Sequence, residues 1–194
     1  VTPPLVCAVH KKVHYEHMRP NFIPSLSTLF ARKKAEDRVD NPHLNPPSGT
    51  IVSCFRLAYY SIDYIFGYWF KVYPKMIKSP GLWIFDRYYY DYFFDAKRSR
   101  ISLPQWLLQL VEIFIPSPDI VFCLGADPEA IHARKPELPI EEIERQLLAL
   151  KLFCEKTPRA VWINTGTSLI SSIDATLHVI GRRMASRYSG LGYD

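Results

Sequence analysis

Short strand-like runs alternate with longer helical stretches along the sequence, and this alternation limits the possible folds more than any other feature. The strand candidates are Val13 to His17, Leu82 to Phe85, Asp119 to Leu124 and Ala160 to Ile163. Strands separated by helices pair in parallel, because each helix carries the chain back to the same end of the sheet. The pattern therefore predicts an α/β fold with a parallel sheet flanked by helices.

The stretches between the strands carry helical signals. Long helices are expected at Ile51 to about Lys78, Leu103 to Ile115, Ile140 to about Lys156, and Leu169 to about Met184. A shorter helix is expected after the third strand, where Asp127 can cap the helix start and Pro128 suits the first helical position. The chain thus has the element order of a layered α/β protein.

Length and composition are those of a globular protein. A chain of 194 residues with 48% hydrophobic content can build a sizeable core. We expect one domain, residues 1–194, with an exposed loop at 32–50, a short connection at 134–139 and a flexible tail at 185–194. The formal charge of +5 favours anionic partners. The four cysteines form no CxxC pair, which argues against a zinc site and indicates reduced thiols in a cytoplasmic protein.

Asp86 and Arg87 directly follow the second strand, at the edge where parallel sheets bind ligands. An aspartate there can hold Mg²⁺ or take a proton, and an arginine can clamp a phosphate with two hydrogen bonds. The alternative is a structural pair, with Asp86 capping a turn and Arg87 in an ion pair. The rings that follow, Tyr88 to Tyr90 and Phe93-Phe94, fit either the wall of an acceptor pocket or an interface.

A polar stripe runs along the first long helix. Arg56, Tyr60, Asp63 and Gly67 are spaced by four, three and four residues, which places them on one face. If this face lines the crevice, Arg56 can meet an acceptor phosphate or base, and Gly67 permits close packing. If it faces solvent, the residues are an ordinary exposed set.

Cations and polar groups also follow the other strands. Arg19 lies in HMRP after the first strand, and Asn164-Thr165-Gly166 follows the fourth. Arg134-Lys135 falls between two helices, where mobile cations would suit phosphoryl transfer. The alternatives are a structural salt bridge at Arg19 and a basic helix terminus at Arg134.

Together these blocks resemble the thymidylate kinase-like group of P-loop kinases. The motifs are HMRP, RLAYYSIDY, IFDRYYYD, PDIVFCLGADPEAIHARKPEL, EEIERQL and AVWINTG, and they cover about Val13 to Ile180. The resemblance implies a three-layer P-loop NTPase-like fold, ATP and Mg²⁺ as cofactors, and a small phosphorylated acceptor such as a nucleoside monophosphate. It is also compatible with a homodimer.

The resemblance and the polar stripe together assign roles to the residues above. Asp86 is implied as the catalytic and magnesium-associated carboxylate, and Arg134 as the catalytic arginine of the lid. The acceptor-binding residues are Arg19, Arg56, Tyr60, Asp63 and Arg87. The ATP-binding residues are Arg134, Lys135, Asn164, Thr165 and Gly166.

One defining element of that group does not occur in the sequence. The phosphate-cradling loop GxxxxGK[ST] needs glycines and a Gly-Lys pair, but the first glycine is Gly49 and no Gly-Lys dipeptide occurs. We therefore expect the chain to begin beyond the family's first strand and loop, which leaves two sheet halves without their shared central strand. A competing interpretation is that LVCAVH, from Leu5 to His10, has become a substitute strand.

Three functions remain open at this point. The first is an ATP-dependent nucleotide kinase, truncated and inactive as given, and the second is a non-catalytic protein that keeps only the acceptor pocket. The third, a peripheral membrane or nucleic-acid-binding protein, needs a contiguous basic face, whereas Arg32 to Lys34 and Arg182-Arg183 are short clusters. A membrane-spanning helix at Ile51 to Phe70 would place Arg56 and Asp63 in lipid, and each charge would cost about 2.5–3.5 kcal/mol. Nucleic acid and membrane are therefore not expected as partners.

Overall fold

A computed structural model of the chain describes residues 12–17, 20, 22–24, 49–95 and 100–189. These residues fall into two compact units, residues 12–117 and residues 118–189, and each unit is described by itself. We call them the N-terminal unit and the C-terminal unit. Arg19, almost all of the expected loop at 32–50 and the last five residues of the expected tail lie outside the described residues.

The N-terminal unit begins with a strand and is dominated by one long helix. Its elements are β1 (Val13–His17), α1 (Thr50–Gly67), a π-helical turn (Tyr68–Val72), α2 (Tyr73–Lys78), β2 (Leu82–Asp86), α3 (Asp91–Phe94) and α4 (Gln105–Glu112). Strands β1 and β2 pair in parallel, with Val13 opposite Leu82 and His17 opposite Asp86. Asp86 is therefore the last residue of β2 rather than the residue after it.

The C-terminal unit repeats the alternation of strand and helix. Its elements are β3 (Val121–Gly125), α5 (Pro128–Arg134), α6 (Ile140–Lys156), β4 (Ala160–Asn164) and α7 (Leu169–Ser189). Strands β3 and β4 pair in parallel, with Gly125 opposite Asn164. Gly125 is required at this place, because a Cβ there would lie 2.1 Å from the Trp162 ring.

The predicted parallel pairing is confirmed, but the described strands form two pairs rather than one sheet. The strands are only partly buried, since Ile84 is 43% exposed and Leu124 57% exposed. Side chains of a strand point alternately to the two faces of the sheet, so these residues lie on faces that the described residues do not fully cover. The mixed helical and parallel-strand composition is that of an α/β protein.

The long helix contains a change in winding that the sequence explains. Residues 50–78 are helical without a break, but Tyr68–Val72 is wound as a π-helix. Pro74 has no N–H to give to the carbonyl four residues earlier, and its ring crowds that carbonyl, so the regular hydrogen-bond ladder is interrupted there. The wider π-helical turn just before Pro74 accommodates the interruption.

Several element ends differ from the sequence-based expectation. Helix α4 covers Gln105–Glu112 instead of Leu103 to Ile115, since Pro104 takes the N-cap position and the chain turns before Pro116. Helix α7 continues to Ser189, beyond the expected end near Met184, where Arg187 forms an ion pair with Asp119. The predicted start of α5 is confirmed, because the Asp127 side chain accepts a hydrogen bond from the Glu129 N–H at 3.1 Å.

The core of the N-terminal unit is built largely from tyrosines. Tyr64, Tyr89 and Tyr92 are 2%, 0% and 6% exposed, and they pack with Leu57, Leu108 and other apolar side chains. Tyr89 donates its hydroxyl to the Leu108 carbonyl at 2.9 Å, which satisfies the polar end of the ring. These rings therefore form the core and do not line a pocket.

No described helix is both long enough and sufficiently apolar to cross a membrane.

Candidate functional site

The end of β2 presents a carboxylate and a guanidinium side by side. Asp86 is exposed, and its Oδ2 accepts a hydrogen bond from the Tyr15 hydroxyl on β1 at 2.8 Å. This hydrogen bond is the main cause of the raised pKa of Tyr15, because ionisation of the phenol would break it. The bond joins β1 to the end of β2 and favours one orientation of the Asp86 carboxylate.

Arg87 has an unusual backbone. Its φ of 67° lies in the left-handed region, which is uncommon for residues other than glycine and asparagine. Its Nη1 lies 3.1 Å from Oδ2 of Asp91, one helical turn later, and both side chains are about one third exposed. The ion pair that the sequence offered as an alternative is thus present, and it gives Asp91 a role. A partly exposed pair of this kind is weak and leaves most guanidinium donors for a ligand.

The polar stripe on α1 faces the interior of the N-terminal unit, so the solvent-facing interpretation is wrong. Asp63 is fully buried, and its Oδ1 accepts hydrogen bonds from the N–H groups of Phe22 and Ile23 at 2.7 and 2.9 Å. Gly67 is in contact with Pro20, where a Cβ would lie 2.6 Å from the proline ring. Both residues hold described residues that follow β1, namely Pro20, Phe22 and Ile23, against α1.

Arg56 and Tyr60 are the two residues of the same stripe that lie nearer the N-terminus of α1. The Tyr60 ring stacks on Tyr92 with centroids 6.1 Å apart, which ties α1 to α3. Arg56 is half-buried, and its Nε is buried without a hydrogen-bond partner in the described part of the chain. A guanidinium nitrogen in that state costs free energy unless a ligand or water reaches it.

The predicted ATP-binding residues lie in the C-terminal unit. Asn164 ends β4, and its Oδ1 accepts a hydrogen bond from the Gly166 N–H at 2.9 Å, which closes a tight turn. Thr165 donates its backbone N–H to the Gly125 carbonyl at 2.8 Å, so the turn is joined to the end of β3. The three residues thus form one ordered turn at the carboxyl edge of the pair β3 and β4.

The connection between α5 and α6 carries the predicted lid cations. Arg134 is exposed and folds back onto its own helix, with Nε 3.2 Å from the Ala130 carbonyl, while Lys135 pairs with Glu137 at 2.9 Å. His132 spans the connection with a hydrogen bond, since its Nδ1 lies 2.8 Å from the Leu138 carbonyl oxygen. The cations make only local, exposed contacts that a bound anion could displace.

A cleft of about 480 Å³ lies at the same edge of the C-terminal unit. Its walls combine the ends of β3 and β4 with one face of α6. The lining residues include Asp127, Glu144, Leu147, Lys151, Trp162 and Asn164. The Lys151 ammonium lies 5.4 Å from the centre of the Trp162 ring, a cation–π distance. The cleft therefore offers an aromatic wall and a cation beside the Asn164 turn.

A magnesium ion would have to be held mostly by ligands other than protein. Among the described residues, no three His, Cys, Asp or Glu side chains lie close enough together to hold a metal ion. Mg²⁺ at kinase sites keeps several waters and binds one or two carboxylates together with substrate phosphates. The exposed Asp86 carboxylate at the end of β2 fits that donor set.

Sequence reasoning missed three residues of note: Tyr15, Arg100 and His132. Tyr15 could have been inferred from the parallel register, because it lies on the strand next to the one that ends in Asp86. The others carry no local signal. Arg100, for example, has a left-handed φ of 54° and a buried Nε without a partner in the described part of the chain, although it stands in an unremarkable basic stretch.

Comparisons with known proteins find a similar fold among solved structures, but no matching family model and no significant match among curated proteins. Among solved structures, the chain resembles thymidylate kinase from Ehrlichia chaffeensis, with 12% identity and a TM-score of 0.53. The match covers 91% of this chain and 87% of that one. At such identity the likeness concerns the fold alone: this chain has an α/β fold similar to that of a thymidylate kinase.

Proposed function

We propose that this chain is a nucleotide kinase-like protein of the thymidylate kinase type, and that its N-terminal unit binds a small phosphorylated acceptor of the nucleoside monophosphate class. The observation that carries the proposal is the end of β2, where an exposed, oriented carboxylate adjoins a left-handed arginine. Non-glycine residues in that conformation cost about 1–3 kcal/mol and concentrate at functional sites. The three-layer arrangement of such kinases is part of the same proposal, supported by the likeness of fold.

Arg87 is the proposed clamp for the acceptor phosphate. A guanidinium has five N–H donors in a planar fork that matches phosphate oxygens. Asp91 takes one of them through Nη1 and restrains the side chain, so less rotamer entropy is lost when a phosphate binds. Arg56, Tyr60 and Arg19 complete the proposed acceptor set, and Asp63 serves it indirectly by holding Phe22 and Ile23, which follow β1.

Asp86 is the proposed catalytic carboxylate. Its position at the carboxyl end of β2 and its hydrogen bond from Tyr15 would hold the carboxylate toward the reacting phosphoryl group. It can accept a proton there or hold the waters of a magnesium ion. Mg²⁺, when bound, would neutralise charge on the transferred phosphoryl group.

ATP binding is assigned to the C-terminal unit. The Asn164–Gly166 turn and the neighbouring cleft would receive the base, with Trp162 as an aromatic wall. Arg134 and Lys135 would reach the phosphates by leaving their present local contacts. Because these contacts are weak, the connection between α5 and α6 could give them up and close over a bound ligand.

A second function, acceptor binding without catalysis, concerns these 194 residues taken by themselves. These 194 residues contain no GxxxxGK[ST] loop, which in P-loop kinases supplies the backbone donors and the lysine for the ATP phosphates. We therefore expect weak or no ATP binding by this chain. A micromolar, Mg²⁺-dependent ATP affinity, measured by calorimetry, would contradict that expectation.

We propose further that two copies of the chain associate through the outer face of α1 and α2. This face, which we call the apolar stripe, consists of Ile51, Phe55, Ile62, Phe66, Trp69, Tyr73 and Ile77, each between 41% and 74% exposed. It contains no charge along roughly 40 Å of helix. A second copy fits it best, because an uncharged face is self-complementary under two-fold symmetry, and so large an apolar patch is rare on a monomer.

Calorimetric titration tests the acceptor proposal. The titrants are thymidine, guanosine and adenosine monophosphates and, as a phosphate-free control, thymidine. We expect at least one monophosphate to bind, and Arg87→Gln to weaken it roughly tenfold to a hundredfold, since a charge-assisted bidentate contact is lost. Arg145→Gln, an exposed arginine in the C-terminal unit paired with Glu142, is the matched control and should bind as the parent does.

The absence of binding by every monophosphate would refute the acceptor proposal. Where one binds, ADP formation from ATP and Mg²⁺ separates the two functions. A kinase would show turnover that Asp86→Asn abolishes, whereas the non-catalytic alternative shows binding that depends on Arg87 and no turnover.

A further inference from the structure

Two arginines of the N-terminal unit share a property that no other described arginine has. The Nε atoms of Arg56 and Arg100 are buried, and neither has a hydrogen-bond partner in the described part of the chain. By contrast, Arg87, Arg145 and Arg187 are each paired with a carboxylate. A buried guanidinium nitrogen that has lost water and gained no partner is unfavourable, because its desolvation is not compensated.

The two arginines lie at the same place in the unit. The backbone N–H of Ser102 donates to Oγ of Ser53 at 3.1 Å, which fastens the segment after Arg100 to the first turns of α1. Ser53 is fully buried and stands three residues before Arg56, on the same helix face. Ile101 and Leu57, the residues directly after the two arginines, belong to one hydrophobic cluster. Arg56 and Arg100 therefore flank a single packed contact.

The backbone at Arg100 is held in a costly conformation. Its φ of 54° is left-handed, and only Arg100 and Arg87 combine a side chain with positive φ in the described part of the chain. Packing of Ile101, which is 1% exposed, and the Ser53 hydrogen bond hold the segment there. Conformations of this kind persist only where the surroundings enforce them, and they concentrate at ligand sites.

We propose that Arg100 and Arg56 together bind one phosphate group, which supplies the acceptor atoms that their buried Nε atoms lack. Each guanidinium can offer Nε and a terminal nitrogen to two oxygens of the same anion. Water could satisfy the hydrogen bonds but carries no charge to offset the two guanidinium groups. A phosphate supplies both the acceptors and the charge.

The identity of the ligand rests on the proposed function, in which this phosphate belongs to the acceptor and Arg87 contributes to binding it. The existence of a phosphate site at Arg100 and Arg56 does not rest on that function. Free phosphate and the phosphate of a nucleotide present the same oxygens. A titration with each therefore separates the site from the acceptor that uses it.

The test is calorimetry with inorganic phosphate, thymidine monophosphate and thymidine, at a constant ionic strength set with sodium chloride. The variants are Arg100→Gln, Arg56→Gln and Arg100→Lys, which keeps the charge and loses the planar fork. The exposed Arg183→Gln on α7 is the matched control. Circular dichroism and a thermal melt establish that each variant is folded. If Arg100→Gln does not fold, Arg100→Lys carries the test.

We expect inorganic phosphate to bind the parent and to bind Arg100→Gln and Arg56→Gln roughly tenfold to a hundredfold more weakly. Arg100→Lys should be intermediate and Arg183→Gln unchanged. If phosphate binds in this way but thymidine monophosphate binds no more tightly than phosphate, the phosphate site stands and its use by a nucleotide acceptor fails. If thymidine monophosphate binds and depends on Arg87 but not on Arg100, the inference is wrong and the proposed function stands. Failure of both phosphate and thymidine monophosphate to bind the parent also overturns the inference.

Discussion

Asp63 shows how a residue whose spacing suggests ligand binding can instead anchor the backbone. The sequence left open whether this residue faces a crevice or solvent; in the structure it faces inward, and its fully buried carboxylate accepts hydrogen bonds from the N–H groups of Phe22 and Ile23. The stripe was predictable because helical periodicity depends on spacing alone. The partner was not, since 40 residues separate Asp63 from Ile23 along the chain.

Replacing Asp63 with alanine should lower the free energy of unfolding by about 2–4 kcal/mol, because two backbone donors lose a charged acceptor in a buried place. Asp63→Asn keeps one carbonyl oxygen and should cost less. Urea unfolding followed by circular dichroism measures both. Equal stability of Asp63→Ala and the parent would show that the anchor contributes nothing.

Cys123 was expected to be an ordinary reduced thiol, and the structure adds a neighbour. It is 3% exposed on β3, and burial is the main cause of the raised pKa of its thiol, with a hydrogen bond to the Cys154 side chain as the second. A raised pKa means less thiolate at any given pH, and thiolate is the reactive form. Cys54 on α1 is exposed.

Cys123 should therefore react with iodoacetamide at pH 8 at least about ten times more slowly than Cys54. Peptide mass spectrometry at timed intervals measures the two rates in one sample. In guanidinium chloride the two rates should converge, which serves as the control. Similar rates in the folded chain would contradict the description of Cys123 as buried and protonated.

At the scale of elements, the helix from residue 50 to residue 78 was predicted almost to the residue, and its π-helical turn was not. The apolar and polar spacing extends smoothly past Gly67, so periodicity gives no sign of a local change in winding. Pro74 was the available signal, and it marks the end of the irregular turn. Gly67 was interpreted as a place of close packing, and its contact with Pro20 confirms this.

Gly67→Ala should destabilise the chain. The new methyl group would lie 2.6 Å from Cβ of Pro20, and overpacking of this kind costs about 1–3 kcal/mol, more than the 0.5–1 kcal/mol that alanine gains in a helix. Gly181→Ala is the matched control, because no atom lies within 4 Å of a Cβ at that position in α7.

Thermal melts of the two alanine variants should therefore move in opposite directions, with Gly181→Ala above the parent and Gly67→Ala below it. A stabilised Gly67→Ala would mean that the segment around Pro20 moves aside freely and that α1 does not hold it.

At the scale of the whole molecule, the alternation of strands and helices predicted parallel pairing, and the two observed pairs confirm it. The pattern could not predict which strands pair, because periodicity describes one strand at a time. It also could not show that β1 and β2 form one pair and β3 and β4 another. The proposed sites follow the same division, with Asp86 and the proposed acceptor-binding residues Arg56 and Arg87 in one unit and the Asn164 turn in the other.

The apolar stripe on α1 and α2 predicts the oligomeric state. Light scattering after size exclusion should give the mass of a dimer, and Phe55→Glu with Phe66→Glu should give a monomer, because charges would be buried at the interface. Both side chains are exposed, at 72% and 47%, so the change leaves the core intact. Ile170→Glu, at a 72% exposed position on α7, should leave the dimer unchanged. A monomeric parent would refute the proposal.

The central claim is that the arginines of the N-terminal unit bind the phosphate of a small acceptor. A crystal structure of the chain with thymidine monophosphate tests it most directly, since it locates the phosphate. We predict phosphate oxygens at about 2.7–2.9 Å from the guanidinium nitrogens of Arg87 or Arg56. A phosphate bound in the cleft of the C-terminal unit, or away from both arginines, would contradict the claim.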